Sequence, residues 1–458
     1  MKNRIEKDSI GEVTINQNKY FGINTQRALN NFQVRVNSTD LELIKQIAQI
    51  KRAAAMANEK LARISPEKSK VIQQAAQEII SGQFDDQFMI PEIQGGAGTS
   101  TNMNVNEVIA NRGLEILNHQ HGEYQYLSPQ DDVNAGQSTN DVYPSAGKLT
   151  IYLKTQVLEE ELLKLIKALQ QKGFEFKDVS KIGRTQLQEA VPTTLGNTFN
   201  AFADGLKRCL YRLKMNLPAM LELNLGGTAI GTGVNTSKGY QDLLYSQLQK
   251  IYQVDVHPAF DLIDGTQNLD SFVQVSGSLK ALAVTMSKMG HDLRLLSSGP
   301  RSGFNEIHLP ARQAGSSIMP GKVNPVIPEV VSQIAFQVIG NDTTVTLAAE
   351  SGELELNAFE PVIFHNLFES VELLKNACQM LTTECIPGIK ANKAKCQHDL
   401  DKSVETVTKL TPIIGYETAS EVVTESLKTG VDVYKLLRKK NLFSNDKETT
   451  KKLNEVLN

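Results

Sequence analysis

Five stretches of this 458-residue chain are long, rich in apolar residues and nearly free of proline: residues 146–174, 193–223, 267–297, 327–350 and 355–385. In the second of them Leu195, Phe199, Phe202, Leu206, Leu210 and Leu213 recur at spacings of three and four, the apolar stripe of a bundle helix. A helix of about 30 residues is about 45 Å long at 1.5 Å per residue. That exceeds what one compact domain needs. The pattern therefore predicts long helices that bury their stripes against one another and against partner chains.

Composition narrows the function classes. Lysine plus arginine (48) nearly balances aspartate plus glutamate (51) for a net charge of −3, so no basic field points to nucleic acid or to a membrane surface. Cys209, Cys378, Cys385 and Cys396 form no CxxC pair and have no histidine cluster beside them, which suits reduced thiols in the cytoplasm. The segment MKNRIEKDSIGEV lacks the apolar centre of a secretory signal, and no apolar run reaches the length of a membrane span. A soluble, cytoplasmic protein is expected.

Around the long stretches the texture changes. Residues 1–32 alternate glycine, asparagine and charge, which predicts short strands or loops. Thr39 and Glu42 fit a capping box ahead of Leu43 and Ile47, and Ser65-Pro66 opens a second amphipathic helix that stops at Gly82. GGAGTSTNMNVNEVIANRG (95–113) places asparagine at 102, 104, 106 and 111. Asparagine competes for backbone hydrogen bonds inside a helix, so these amides need partners, either in a buried network or along a substrate-facing wall. A further polar island lies at 131–148, and polar loops are expected at 182–192 (IGRTQLQEAVP) and 226–237 (GGTAIGTGVNTS). From Cys396 onward the segments shorten, punctuated by Thr411-Pro412 and Gly430, and end in a charged tail from Arg438 to Asn458. The division expected is 1–141, mixed and mostly helical; 142–395, the long-helix bundle; and 396–458, a small helical domain.

The segment richest in chemistry is AGSSIMPGKVNPVIP (314–328), where glycines give freedom to a run that prolines then fix. Its Gly-Lys invites a phosphate-loop reading. That fails because five residues separate Gly315 from Gly321-Lys322 and Val323 follows the lysine. GTGVNT (231–236) lacks the third glycine of a dinucleotide fingerprint. Ser316 and Lys322 do not match SxxK spacing, and no pair of histidines has metal-ligand spacing. What remains is a set of hydroxyl and amide groups with few cations: Thr99, Ser138, Thr139, Asn140, Thr185, Gln186, Ser316, Ser317, Lys322 and Asn324. Many donors with little negative charge suit a small dicarboxylate.

Five blocks, GGAGTSTNMNVNEVIANRG, GQSTNDVYPSA, GRTQLQEAVPTTLG, GGTAIGTGVNTS and GSSIMPGKVNP, resemble in order those of the aspartase/fumarase superfamily. Two departures separate the chain from the fumarases. Ser128-Pro129-Gln130-Asp131 stands where they carry His-Pro-Asn-Asp, and Arg184-Thr185-Gln186 where they carry Arg-Thr-His. GEYQYL (122–127), GNDTTVT (340–346) and FEPVIFHNLFES (359–370) are instead similar to the ammonia-lyase branch. A fumarate hydratase is the alternative of the same fold.

The resemblance implies a mainly α, three-domain lyase whose central bundle assembles into a tetrameric helical core, with each active site shared between three subunits. It implies no required cofactor and no metal in the site, and leaves a divalent-metal effector open. Ser316 is then the base on a mobile loop, assisted by Lys322. Ser138, Thr139 and the Ser317 amide take the β-carboxylate, and Thr185, Lys322 and Asn324 the α-carboxylate. Thr99, Asn140 and Gln186 face the amino group. Arg184 and Glu360 are expected to be structural.

Overall fold

The structure is a computed structural model and describes residues 2–34, 37–440 and 442. A hairpin of β1 (Asn3–Asp8) and β2 (Gly11–Asn16) precedes α1 (Ile23–Asn31), α2 (Leu41–Lys60), α3 (Pro66–Ile80), α4 (Thr99–Ile116) and the long α5 (Thr139–Glu175). A second antiparallel hairpin, β3 (Ser180–Thr185) and β4 (Gln188–Thr194), leads into α6 (Leu195–Asn216), α7 (Tyr240–Tyr252), α8 (Leu262–Gln267) and α9 (Asp270–Leu296). Then come α10 (Val326–Glu350), α11 (Glu360–Met380), α12 (Lys393–Lys402), α13 (Thr411–Ile414), α14 (Tyr416–Thr429) and α15 (Val433–Lys439). The other strands are two-residue pairs, so the fold is mainly helical, as expected.

The five proline-poor stretches are α5, α6, α9, α10 and α11. The first starts at Thr139 rather than 146, because Ser138 and Asp141 cap it despite the proline at 144. Ser65 Oγ accepts from Lys68 N at 3.2 Å to cap α3, and Gly82 follows its end at φ +83°. The cap of α2 is displaced by one residue. Asp40, not Thr39, accepts from Glu42 N at 2.8 Å, while the Thr39 hydroxyl bonds Ile90 O at 3.0 Å. Helix α1 was not expected, since Gly22 has no side chain to cap it. Buried Glu107 of α4 does so from a distance in sequence, accepting from Gly22 N and Asn24 N, both at 2.7 Å.

Contacts divide the chain into two units: residues 1–160, 209–284 and 334–376, and residues 161–208, 285–333 and 377–458. Helices α5, α6, α9, α10 and α11 have residues in both. In the first unit α2 packs on α3 and α7, and Tyr143, Phe272 and Phe364 form a ring cluster with centroids 5.2 and 5.4 Å apart. In the second, Phe176, Phe199 and Phe202 meet edge to face, and α14 and α15 close a small core of Val407, Leu410, Val422, Leu436 and Leu437. The charged tail falls outside the described residues from 443 onward. Among the described residues no helix is long and apolar enough to cross a membrane.

Candidate active site

In the first unit two helix N-termini meet. Thr99 opens α4 after Gly98, which has φ +81° and leaves no room for a side chain: a Cβ there would lie 2.5 Å from the Tyr143 ring of α5. Ser138, Thr139 and Asn140 form the start of α5. Asn140 N donates to Ser138 Oγ at 3.2 Å, and Asp141 Oδ1 reaches back to accept from Ser138 N at 2.9 Å. This is a capping box with aspartate as its acid. The other oxygen of Asp141 accepts from Gly226 N (3.0 Å) and Thr228 N (3.1 Å), so one carboxylate ties the helix start to the 226–237 loop. Burial pushes the Asp141 carboxyl up to about 6, against the pull of those three amides and of Lys51.

Pro144 has no N–H, so the carbonyl of Asn140 loses its helical donor. Asn224 Nδ2 replaces it at 2.9 Å, and the Asn140 side chain donates in turn to Ala229 O at 2.8 Å. Thr99, Ser138, Thr139 and Asn140 are thus brought together with the positive ends of two helix dipoles, an arrangement that favours an anion.

In the second unit Thr185 ends β3, and Gln186-Leu187 makes the turn to β4 with both residues left-handed, at φ 52° and 65°. The polar stretch 182–192, expected as a loop, is therefore a hairpin with Thr185 and Gln186 exposed at its tip. Arg184, one residue earlier, points inward. It bonds Glu306, lies 3.7 Å from Asp399 and stacks 4.4 Å from the Phe304 ring centre, so its structural role is met.

The 314–328 loop is closed by its own bonds. Gly315 N donates to Lys322 O and Asn324 Nδ2 to Gly315 O, both at 2.8 Å. Ser316 Oγ accepts from Met319 N at 2.9 Å and Ile318 N at 3.2 Å. Two N–H donors on one oxygen favour its anionic form. Ser317 and Lys322 are exposed. Lys322 and Asn324 line a cavity of about 750 Å³ with His291, Arg294, His308 and Glu329.

Other expectations also find their place. Glu360 is buried and raised well above the usual carboxylate range by desolvation, partly offset by Lys148, which fits a structural group. Ser128 caps the turn at 129–133, accepting from Asp131 N at 3.0 Å. Asn104 bonds Gln87 O (3.2 Å) and Asn111 bonds Tyr20 O (2.7 Å), the buried-network reading, while Asn102 reaches Thr139 at 3.1 Å. Sequence reasoning missed Asp141, Asn224 and Glu306. Only Asp141 carried a local signal, the Ser138-x-x-Asp141 spacing. Among the described residues no group of three or more His, Cys, Asp or Glu side chains could hold a metal ion.

A family model described as lyase matches residues 11–340. An aspartate ammonia-lyase of Pseudomonas canavaninivorans is 51% identical over 445 residues, covering 96% of this chain and 94% of that one. The chain belongs to the aspartase/fumarase superfamily of lyases. Two solved superfamily structures superpose closely. A fumarate lyase:delta crystallin from Brucella melitensis, bound to cobalt, has a TM-score of 0.95 at 46% identity, covering 99% of each chain. A class II fumarase from Schistosoma mansoni has a TM-score of 0.95 at 36% identity, covering 100% of this chain and 98% of its own. Within the superfamily, then, this chain is nearer in sequence to that ammonia-lyase than to that fumarase.

Proposed function

We propose that the chain carries out the reversible anti-elimination of ammonia from L-aspartate to give fumarate, as a carbon-nitrogen lyase. The observation that carries the chemistry is Ser316 Oγ held by two backbone amides on a loop bracketed by Gly315 and Gly321. As an alkoxide, Ser316 takes the β-carbon proton, and the C–H electron pair moves into the β-carboxylate to form an aci-carboxylate. Ser138, Thr139 and the Ser317 amide donate to that developing dianion, while Thr185, Lys322 and Asn324 hold the α-carboxylate. The electrons then return to form the carbon–carbon double bond, and the C–N bond breaks with its pair going to nitrogen. Thr99, Asn140 and Gln186 face the amino group.

Gln186 supports ammonia as the leaving group. A protonated amine leaves as neutral ammonia without an acid, whereas a hydroxyl leaves readily only if protonated, and an amide side chain has no proton to give at neutral pH. No cofactor enters any of these steps. The assay is to incubate the protein separately with L-aspartate and L-malate and follow the ultraviolet absorbance of fumarate. Turnover of aspartate is expected; turnover of malate alone would assign a fumarate hydratase instead.

The loop makes a second expectation. A methyl group at Gly315 would sit 2.7 Å from Lys322 O and 2.9 Å from Asn324 N. Gly315→Ala should lower kcat/KM about tenfold or more by displacing Ser316 and Asn324. Its thermal midpoint should stay within about 1 °C, because the loop is exposed; unchanged kinetics would remove the loop from the site.

The same reading includes a homotetramer, active sites drawn from three subunits, the division at 141 and 395, and a cytoplasmic location. Its support is the exposed apolar surface of the long helices, with Tyr211 and Met215 on α6 and Phe336 and Leu347 on α10 each 60% or more exposed, together with binding residues left open at Thr99 and the hairpin tip. Sedimentation should give about four times the 50.5 kDa chain mass. A monomer at working concentration would contradict it.

A further inference from the structure

Behind Thr139 lies a chain of amides whose directions follow from chemistry. Asn134 donates its Nδ2 to Gln137 O at 3.2 Å. A backbone carbonyl only accepts, so the other amide atom of Asn134 is its oxygen. Lys51, fully buried on α2, points its Nζ at that oxygen at 2.7 Å, and Asn106 Nδ2 does so at 3.1 Å. Asn102 Nδ2 faces the same oxygen at 3.4 Å and Thr139 Oγ1 at 3.1 Å. Reversing the Asn102 amide would set two oxygens against each other. Thr139 Oγ1 is therefore an acceptor from Asn102, and its own O–H is given to no acceptor among the described residues.

We propose that Asn102 is a positioning residue: by donating to Thr139 it reserves the threonine proton for the anionic substrate, and Lys51 and Asn134 fix the direction of that donation. The inference rests on the reading of Thr139 as a carboxylate-binding residue. It needs no particular charge on Lys51. Burial pushes that amine down to about 7, partly offset by Asp141, and both its protonated and neutral forms have N–H to donate. The arrangement prepays an orientation that substrate binding would otherwise impose, since a free hydroxyl rotates among acceptors.

The test is a double-mutant cycle on the full-length protein, with kcat, KM and thermal midpoint measured for each variant on L-aspartate. Thr139→Val is expected to lose about hundredfold in kcat/KM, and Asn102→Ala about tenfold. In the Thr139→Val background Asn102→Ala should cost almost nothing more. A merely structural Asn102 would instead give losses that multiply. Asn102→Asp, which turns the donor into an acceptor able to capture the threonine proton, should fall about tenfold below Asn102→Ala. If that variant melts before it can be assayed, the cycle with alanine and valine decides alone. Multiplying losses, or Asn102→Asp as active as Asn102→Ala, would overturn the relay while leaving Thr139 in place. Wild-type activity in Thr139→Val would overturn the reading of Thr139 and the relay with it.

Discussion

Ser316→Ala is expected to reduce turnover of L-aspartate by about 10³-fold or more while leaving the thermal midpoint unchanged to within about 1 °C. Both halves follow from one geometry. Ser316 Oγ is the hydroxyl that accepts from Ile318 N and Met319 N, so removing it deletes the group whose anion the loop stabilises. The loop is exposed around that position, and alanine creates no buried cavity. A residual activity within about tenfold of wild type would show that another group takes the proton.

Glu306→Ala acts in the opposite sense, through stability first. Glu306 is fully buried between Lys181, whose Nζ lies 2.8 Å away in charge contact, and Arg184. Deleting the carboxylate leaves two largely buried cations side by side, with only Asp399, 3.7 Å from Arg184, to offset them. Breaking such a cluster costs about 3–5 kcal/mol, or roughly 10 °C in midpoint for a unit of this size. Activity should fall as well, because Arg184 anchors the strand end that presents Thr185 and Gln186. Glu306→Gln, which restores shape without charge, should recover little of the midpoint. A shift below about 2 °C in the alanine variant would mean that the cluster is not what fixes the hairpin.

These two residues differ in how far the sequence exposes them. Ser316 stands in a run of glycines, prolines and hydroxyls that no helix or strand explains, so a chemical role could be read from the local pattern. Glu306 sits in unremarkable surroundings, and its partners come from residues more than 100 positions earlier. The long helices were legible because apolar residues recur at spacings of three and four, as along the 22 residues of α6. The β3–β4 hairpin was not. Its turn is Gln186-Leu187, in place of the asparagine and glycine that usually signal left-handed positions. A glutamine and a leucine held there cost about 1–2 kcal/mol each, and such local misfits concentrate at functional sites. Likewise the α4 asparagines announced a polar network, but its direction depends on Lys51, Asn134 and Gln137, which only folding brings together.

In the proposed reaction a carbon-bound proton is removed and ammonia, not water, leaves. The reverse reaction tests both at once. Fumarate and ammonium are incubated with the protein in heavy water, and the product is examined by proton NMR. The expected product is L-aspartate carrying one deuteron at the β-carbon, as the single diastereomer of anti addition. Deuterated malate in its place, or aspartate as a mixture of diastereomers, would contradict the proposed reaction.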